Sequence, residues 1–133
     1  MNLKSGFMTD LDVRVKAGTD NVKIVLSPLK YWSVLLQMLV EVPVGFETDL
    51  ASVPRVPIAY QLWGNRAHRE AVLHDYLYRA DSNPDVSCSL ANEIFFEAMK
   101  STGKPRRIYY PMWLGVVIGG WTAYHKKKVG DKL

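Results

Sequence analysis

One cysteine, Cys88, occurs in 133 residues. A lone thiol makes no internal disulfide and cannot build a thiolate metal site. The chain is therefore expected to be made in a reducing cytoplasm. An apolar leader is also missing. Met1 to Asp10 holds no apolar run of signal length, so no signal peptide is expected. There are no internal repeats and no low-complexity stretch. Acidic residues are scarce at one end: residues 104–133 hold seven Lys/Arg against Asp131 alone, within a formal net charge of +4. The remaining 103 residues hold ten basic and twelve acidic side chains. No basic surface runs through the body, which excludes nucleic acid as the expected partner.

What remains is an ordinary globular composition, 48% hydrophobic and 23% charged, of a length that suits one domain. The expected organisation is a single domain over 1–133, β-rich in 1–64 and α-rich in 65–128, with a basic tail at 125–133. Val13 and Val15, then Val22, Ile24 and Leu26, alternate with polar residues, the period of half-buried strands. Ser27-Pro28 reads as a turn. Tyr31 to Val42 is a long apolar run, either one buried strand or two joined by a tight turn. Pro43, Gly45, Pro54 and Pro57 break the chain repeatedly. Residues 43–64 should thus be irregular, apart from a short strand near Phe46–Thr48. Beyond them, Asn65 can cap a helix from Arg66 to Tyr78, and Ser89 a second from Leu90 to Ser101, stopped by Gly103. A third helical segment should follow Pro105 and end at Lys126–Lys128. The fold class expected is α+β, an N-terminal antiparallel β portion followed by three helices packed on it.

Glu70, His74 and Tyr78 share one helix face. His74 can act as a general base toward water, Asp75 can hold a hard cation such as Ca²⁺, and Tyr78 can orient either. The alternative is a buried polar cluster tying the helix to the Pro-rich loop. A zinc site is disfavoured, because His68 and His74 lie six residues apart rather than four. In the loop, Thr48, Asp49 and Ser52 can bond nearby backbone. Asp49 can alternatively face His74 or share a cation with Asp75, and Arg55 can pair with a carboxylate or a substrate phosphate.

Two stretches together resemble a family. Gly45-Phe46-x-Thr48-Asp49-Leu50-Ala51-Ser52-Val53-Pro54-Arg55 and Arg69-x-Ala71-Val72-Leu73-His74-Asp75-x-Leu77-Tyr78 look like a domain-of-unknown-function family of tailed phages and prophages. Ala91 to Met99 fits the same pattern. The resemblance spans roughly residues 40–103 and implies a phage-encoded protein, located in the virion or the host cytoplasm. More locally, His74-Asp75-x-x-Tyr78 is similar to the helix of phospholipases A2. There the His activates water, the Asp binds Ca²⁺, and the Tyr and an Asp on a second helix support the His. Asn92 stands where that second-helix Asp is expected, and the glycine-rich calcium loop is missing; Asp49 and its neighbours would have to replace it.

Ile108 to Tyr124 is a run of 17 uncharged residues between Arg106-Arg107 and His125-Lys126-Lys127-Lys128. Seventeen is the short limit for a membrane span, and Pro111 shortens the usable helix. Gly115 and Gly119 form a small-x-x-x-small face. The segment can be a buried helix, a membrane contact, or a docking surface for other phage proteins or a second copy through residues 108–128. Three functions therefore stand at the level of sequence. One is a virion or assembly component. The second is a hydrolase of the host envelope using His74, Asp75, Asp49 and Tyr78, with Ca²⁺ on Asp75 and Asp49 as the one candidate cofactor. The third is an early host-directed interaction protein.

Overall fold

The computed structural model describes residues 4–49 and 68–133. The first stretch forms six short strands: β1 (Gly6–Phe7), β2 (Val13–Val15), β3 (Lys23–Val25), β4 (Leu29–Ser33), β5 (Met38–Val42) and β6 (Glu47–Thr48). The second forms three helices, α1 (His68–Leu77), α2 (Cys88–Ser101) and α3 (Arg106–Gly119), then a 3-10 turn at Gly120–Ala123. The fold is α+β. Two antiparallel sheets, ordered β1-β4-β5 and β2-β3-β6, precede the helices.

The apolar run at 31–42 is two strands. Tyr31 pairs Val40 and Leu29 pairs Val42 across the β4–β5 ladder. Leu29, Tyr31, Val40 and Val42 all point inward and are buried, the period-2 pattern of a one-sided sheet. The turn between the strands carries no glycine or proline. Instead Ser33 Oγ accepts from the Leu36 amide, and Gln37 adopts a positive φ of 53° while its side chain donates to the Val34 carbonyl. The second sheet closes on β6. Gly45, at φ +87°, turns the chain so that its amide bonds the Val25 carbonyl and Phe46 enters the core. Strand β1 had no signal in the sequence, and its two residues take their place by pairing with Tyr31 and Trp32.

Helix α1 is buried on nearly every side from Glu70 onward, which is how a helix lacking a solvent face behaves. Asn65, the expected cap, lies outside the described residues, as do 50–64 of the expected irregular region. Helix α2 starts earlier than expected. Ser87, not Ser89, is the N-cap, and its Oγ accepts from the Leu90 amide at 3.0 Å. Its other end matches the expected glycine stop. Gly103 has φ +78°, its amide bonds the Lys100 carbonyl, and the Lys104 amide bonds the Met99 carbonyl. The third helix stops at Gly119 rather than running to Lys126–Lys128. Two consecutive glycines follow the apolar stretch, and Tyr124 is extended.

Residues 125–133 are tied back to the body rather than forming a loose end. The His125 amide bonds the Tyr78 carbonyl, the Ala80 amide bonds the Lys127 carbonyl, and the Leu133 amide bonds Glu47 Oε1. Lys16, bonded to Glu47 at 2.7 Å, holds the Glu47 carboxyl below its ordinary range. One apolar cluster joins β3, β4, β5 and Phe46 to α1 and α2. A second joins Phe95 and Met99 of α2 to Ile108, Met112 and Val116 of α3. Ile94 of α2 is fully buried, whereas Leu114 of α3 is about half exposed. Ile94→Ala should therefore lower stability by about 2–5 kcal/mol, and Leu114→Ala by less than about 0.5 kcal/mol. Urea denaturation of the two variants checks the contrast.

Candidate functional site

The row Glu70, His74, Tyr78 exists, and it faces inward. His74 is fully buried. Its ring lies 4.1 Å from the Tyr78 ring and 4.9 Å from that of Phe95, centroid to centroid. Its Nε2 is 2.8 Å from Asn92 Oδ1. The same oxygen accepts the Tyr78 hydroxyl at 2.7 Å. An amide oxygen only accepts, so His74 carries its proton on Nε2, and Nδ1 holds the ring lone pair. Burial pushes the His74 pKa down to about 4, offset in part by the Asn92 bond and the nearby Asp75 charge. The imidazole is neutral at physiological pH. Burial also pushes the Tyr78 phenol up, and the Cys88 thiol 3.4 Å away adds to this, so the hydroxyl stays a donor.

Asp75 stands beside this row in a second network. Its Oδ2 accepts from the Thr48 hydroxyl and from Arg79 Nη2, the latter at 3.0 Å. Arg79 is one helical turn on, an acid-then-base pair at i, i+4, and both side chains are under a tenth exposed. The guanidinium also donates to the Glu47 carbonyl at 2.9 Å and the Lys128 carbonyl at 3.0 Å, and lies 4.7 Å from the Phe46 ring centroid. The cation beside Asp75 is thus Arg79. Glu70 ends the row at the far side of α1. Its Oε1 accepts from Thr102 Oγ1 at 2.5 Å and from Lys104 Nζ at 3.0 Å, which pins α1 to the C-terminal end of α2.

The structure therefore brings His74 and Asp75 of α1 together with Tyr78 just past its end, and adds Asn92, Arg79 and Thr48 to them. Asp49 is half-buried and follows Thr48 at the end of β6, so the Thr48–Asp75 bond sets the chain at this point beside α1. Arg55, expected to contact substrate, lies outside the described residues, and so does Ser52. Among the described residues no group of three or more His, Cys, Asp and Glu side chains is arranged to hold a metal ion. Sequence reasoning missed Arg79, although the spacing Asp75-x-x-x-Arg79 was a visible signal. It also missed Thr102 and Lys104, which reach Glu70 only through the packing of α1 on α2.

The model of one protein family, described as "Protein of unknown function (DUF1353)", matches residues 24–116. That range takes in Thr48, the whole of α1 with Arg79, and Asn92. No curated protein and no solved structure matches the chain.

The two networks make separate predictions. In the unfolded chain His74 titrates near 6.5, and in the fold near 4. Between these values the unfolded state binds the extra proton, so stability must fall as pH drops from about 6.5 to about 4 and level off below. The full swing is on the order of 3 kcal/mol. Denaturation midpoints across that window should show it in the wild type, and His74→Gln should flatten the curve. Arg79→Met leaves Asp75 buried without its cation and should cost about 3–5 kcal/mol. Adding Asp75→Asn should recover part of that loss, as read by thermal unfolding.

Proposed function

The chain belongs to the DUF1353 family, and on that footing we propose that it is a tailed-phage protein serving as a virion or assembly component, without a chemical step of its own. The observation that carries this reading is the state of the motif. His74 is sealed and neutral, Asp75 is neutralised by Arg79, and Tyr78 is committed to Asn92. Each of these three side chains has a partner that ties one element of the fold to another. The phage origin rests on the Gly-Phe-x-Thr-Asp and His-Asp-x-x-Tyr stretches described above. The partners are then other phage proteins.

One observation favours a second reading, an envelope hydrolase. Asn92 Oδ1 accepts from His74 Nε2, the position that the resemblance to phospholipases A2 gives to the group orienting a water-activating histidine. In this reading the base takes a proton from water, which attacks an ester carbonyl. Asn92 in place of an Asp gives the ring orientation without the charge that would raise its basicity.

Mass spectrometry of purified particles and of infected-cell lysate, from a phage encoding this chain, separates the two. The expected result is recovery with particles at fixed stoichiometry, and phospholipid and peptidoglycan hydrolysis no higher for the wild type than for folded His74→Gln. Turnover that His74→Gln abolishes, with its fold confirmed by circular dichroism, would replace the assembly reading with the hydrolytic one.

A further inference from the structure

Helix α3 is apolar on two opposite faces. Ile108, Met112 and Val116 are buried against α2. Tyr110, Leu114, Val117 and Ile118, continued by Trp121 in the 3-10 turn, are 41–67% exposed. Their spacing of four, three or four, and three residues places them in one stripe. On a wheel of 100° per residue, this stripe lies opposite the buried one. From Tyr110 to Trp121 it runs roughly 16 Å along the axis. An apolar ridge of this kind is uncommon on a protein that meets only water.

The charges that flank the ridge along the chain, from Lys104 to Lys128, are of one sign. Arg106 and Arg107 open the helix, are exposed, and fall on the same side as the ridge. Lys126 and Lys128, five and seven residues past Trp121 in the chain, are exposed. No acid occurs between Lys104 and Asp131. Of the acids on neighbouring elements, most are engaged: Asp85 lies 3.3 Å from His125, Asp81 accepts from the Val129 amide, Asp131 accepts from the Lys128 amide, and Glu97 of α2 accepts from Tyr31 and Leu35. Glu93, exposed on α2, is the exception. A second copy of the chain fits this pattern poorly. Antiparallel packing of two ridges would bring Arg106 and Arg107 against Lys126 and Lys128, and parallel packing would bring each basic end against itself.

An apolar strip with cations at both ends and Tyr and Trp near its limits is complementary to the interface of an anionic bilayer. No helix among the described residues is long and apolar enough to cross a membrane. We propose that the outer face of α3 lies in the plane of an anionic lipid surface. Ile118, Leu114 and Trp121 enter the acyl boundary, and Arg106, Arg107, Lys126 and Lys128 meet the phosphates. This is an adhesion surface independent of the His74 cluster, and it holds under either reading of that cluster.

The test is vesicle flotation of the full chain with phosphatidylcholine alone and with equal parts phosphatidylcholine and phosphatidylglycerol. The expected result is binding to the anionic vesicles only, weakening with salt. Ile118→Glu should abolish it, and Arg106→Gln with Arg107→Gln should weaken it more than tenfold, at roughly fivefold per charge removed. All three side chains are exposed, so circular dichroism and thermal unfolding should stay at wild-type values, and the salt titration gives a reading that needs no variant. No flotation on anionic vesicles, or flotation that Ile118→Glu leaves intact, overturns the proposal. A dimer in sedimentation that Ile118→Glu dissociates, without lipid binding, assigns the ridge to a second copy instead. Binding of an acidic protein that Ile118→Glu removes, again without lipid binding, overturns it equally.

Discussion

A single buried guanidinium organises this molecule. Arg79 sits just past the end of α1 and bonds Asp75 on that helix, the Glu47 carbonyl of β6 and the Lys128 carbonyl of the C-terminal segment, with its face near the Phe46 ring. Burying an unpaired charge is costly. The site is tolerable only because sheet, helix and tail all arrive with acceptors in place. That requirement fixes the exit of α1, the position of the short second sheet and the path of the chain after α3.

The His74 network does a related task with neutral groups. One amide oxygen, on Asn92, receives both an imidazole and a phenol, so α1 and α2 are registered by direction-specific bonds where apolar contacts alone would leave room to slide. Glu70 adds a third tie at the other end of the pair through Thr102 and Lys104. Helix α1 thus carries polar side chains inward all along its length, each with a named partner on a different element.

Much of this was legible in the sequence, and unevenly so. The α+β order, the strands at Val13–Val15 and Lys23–Val25, and the glycine stop of α2 followed from local period and turn chemistry. The 31–42 run does not announce its split, because the turn is built from Val34, Leu35, Leu36 and Gln37, none of them a turn former, and is held by side chains instead. The residues of the candidate site were picked out, but their roles depend on partners brought from residues 47–48, 92, 102–104 and 128 by the fold. Helical spacing can place Glu70, His74 and Tyr78 on one face. It cannot say whether that face meets water or the core, and here the apolar residues surrounding the row decide for the core. Helix α3 is the converse case: its all-round apolar character was plain, but which half is covered depends on how α2 packs.

The dependence of Arg79 on Lys128 also orders events in time. A guanidinium made at position 79 has its helix partner at once and its sheet partner already synthesised, yet one of its acceptors lies 49 residues further on. Until residue 128 is available, the part-buried side of the guanidinium has water in place of that carbonyl. The full set of acceptors around Arg79 therefore draws on two stretches of chain on either side of it, residues 47 and 75 before and residue 128 after.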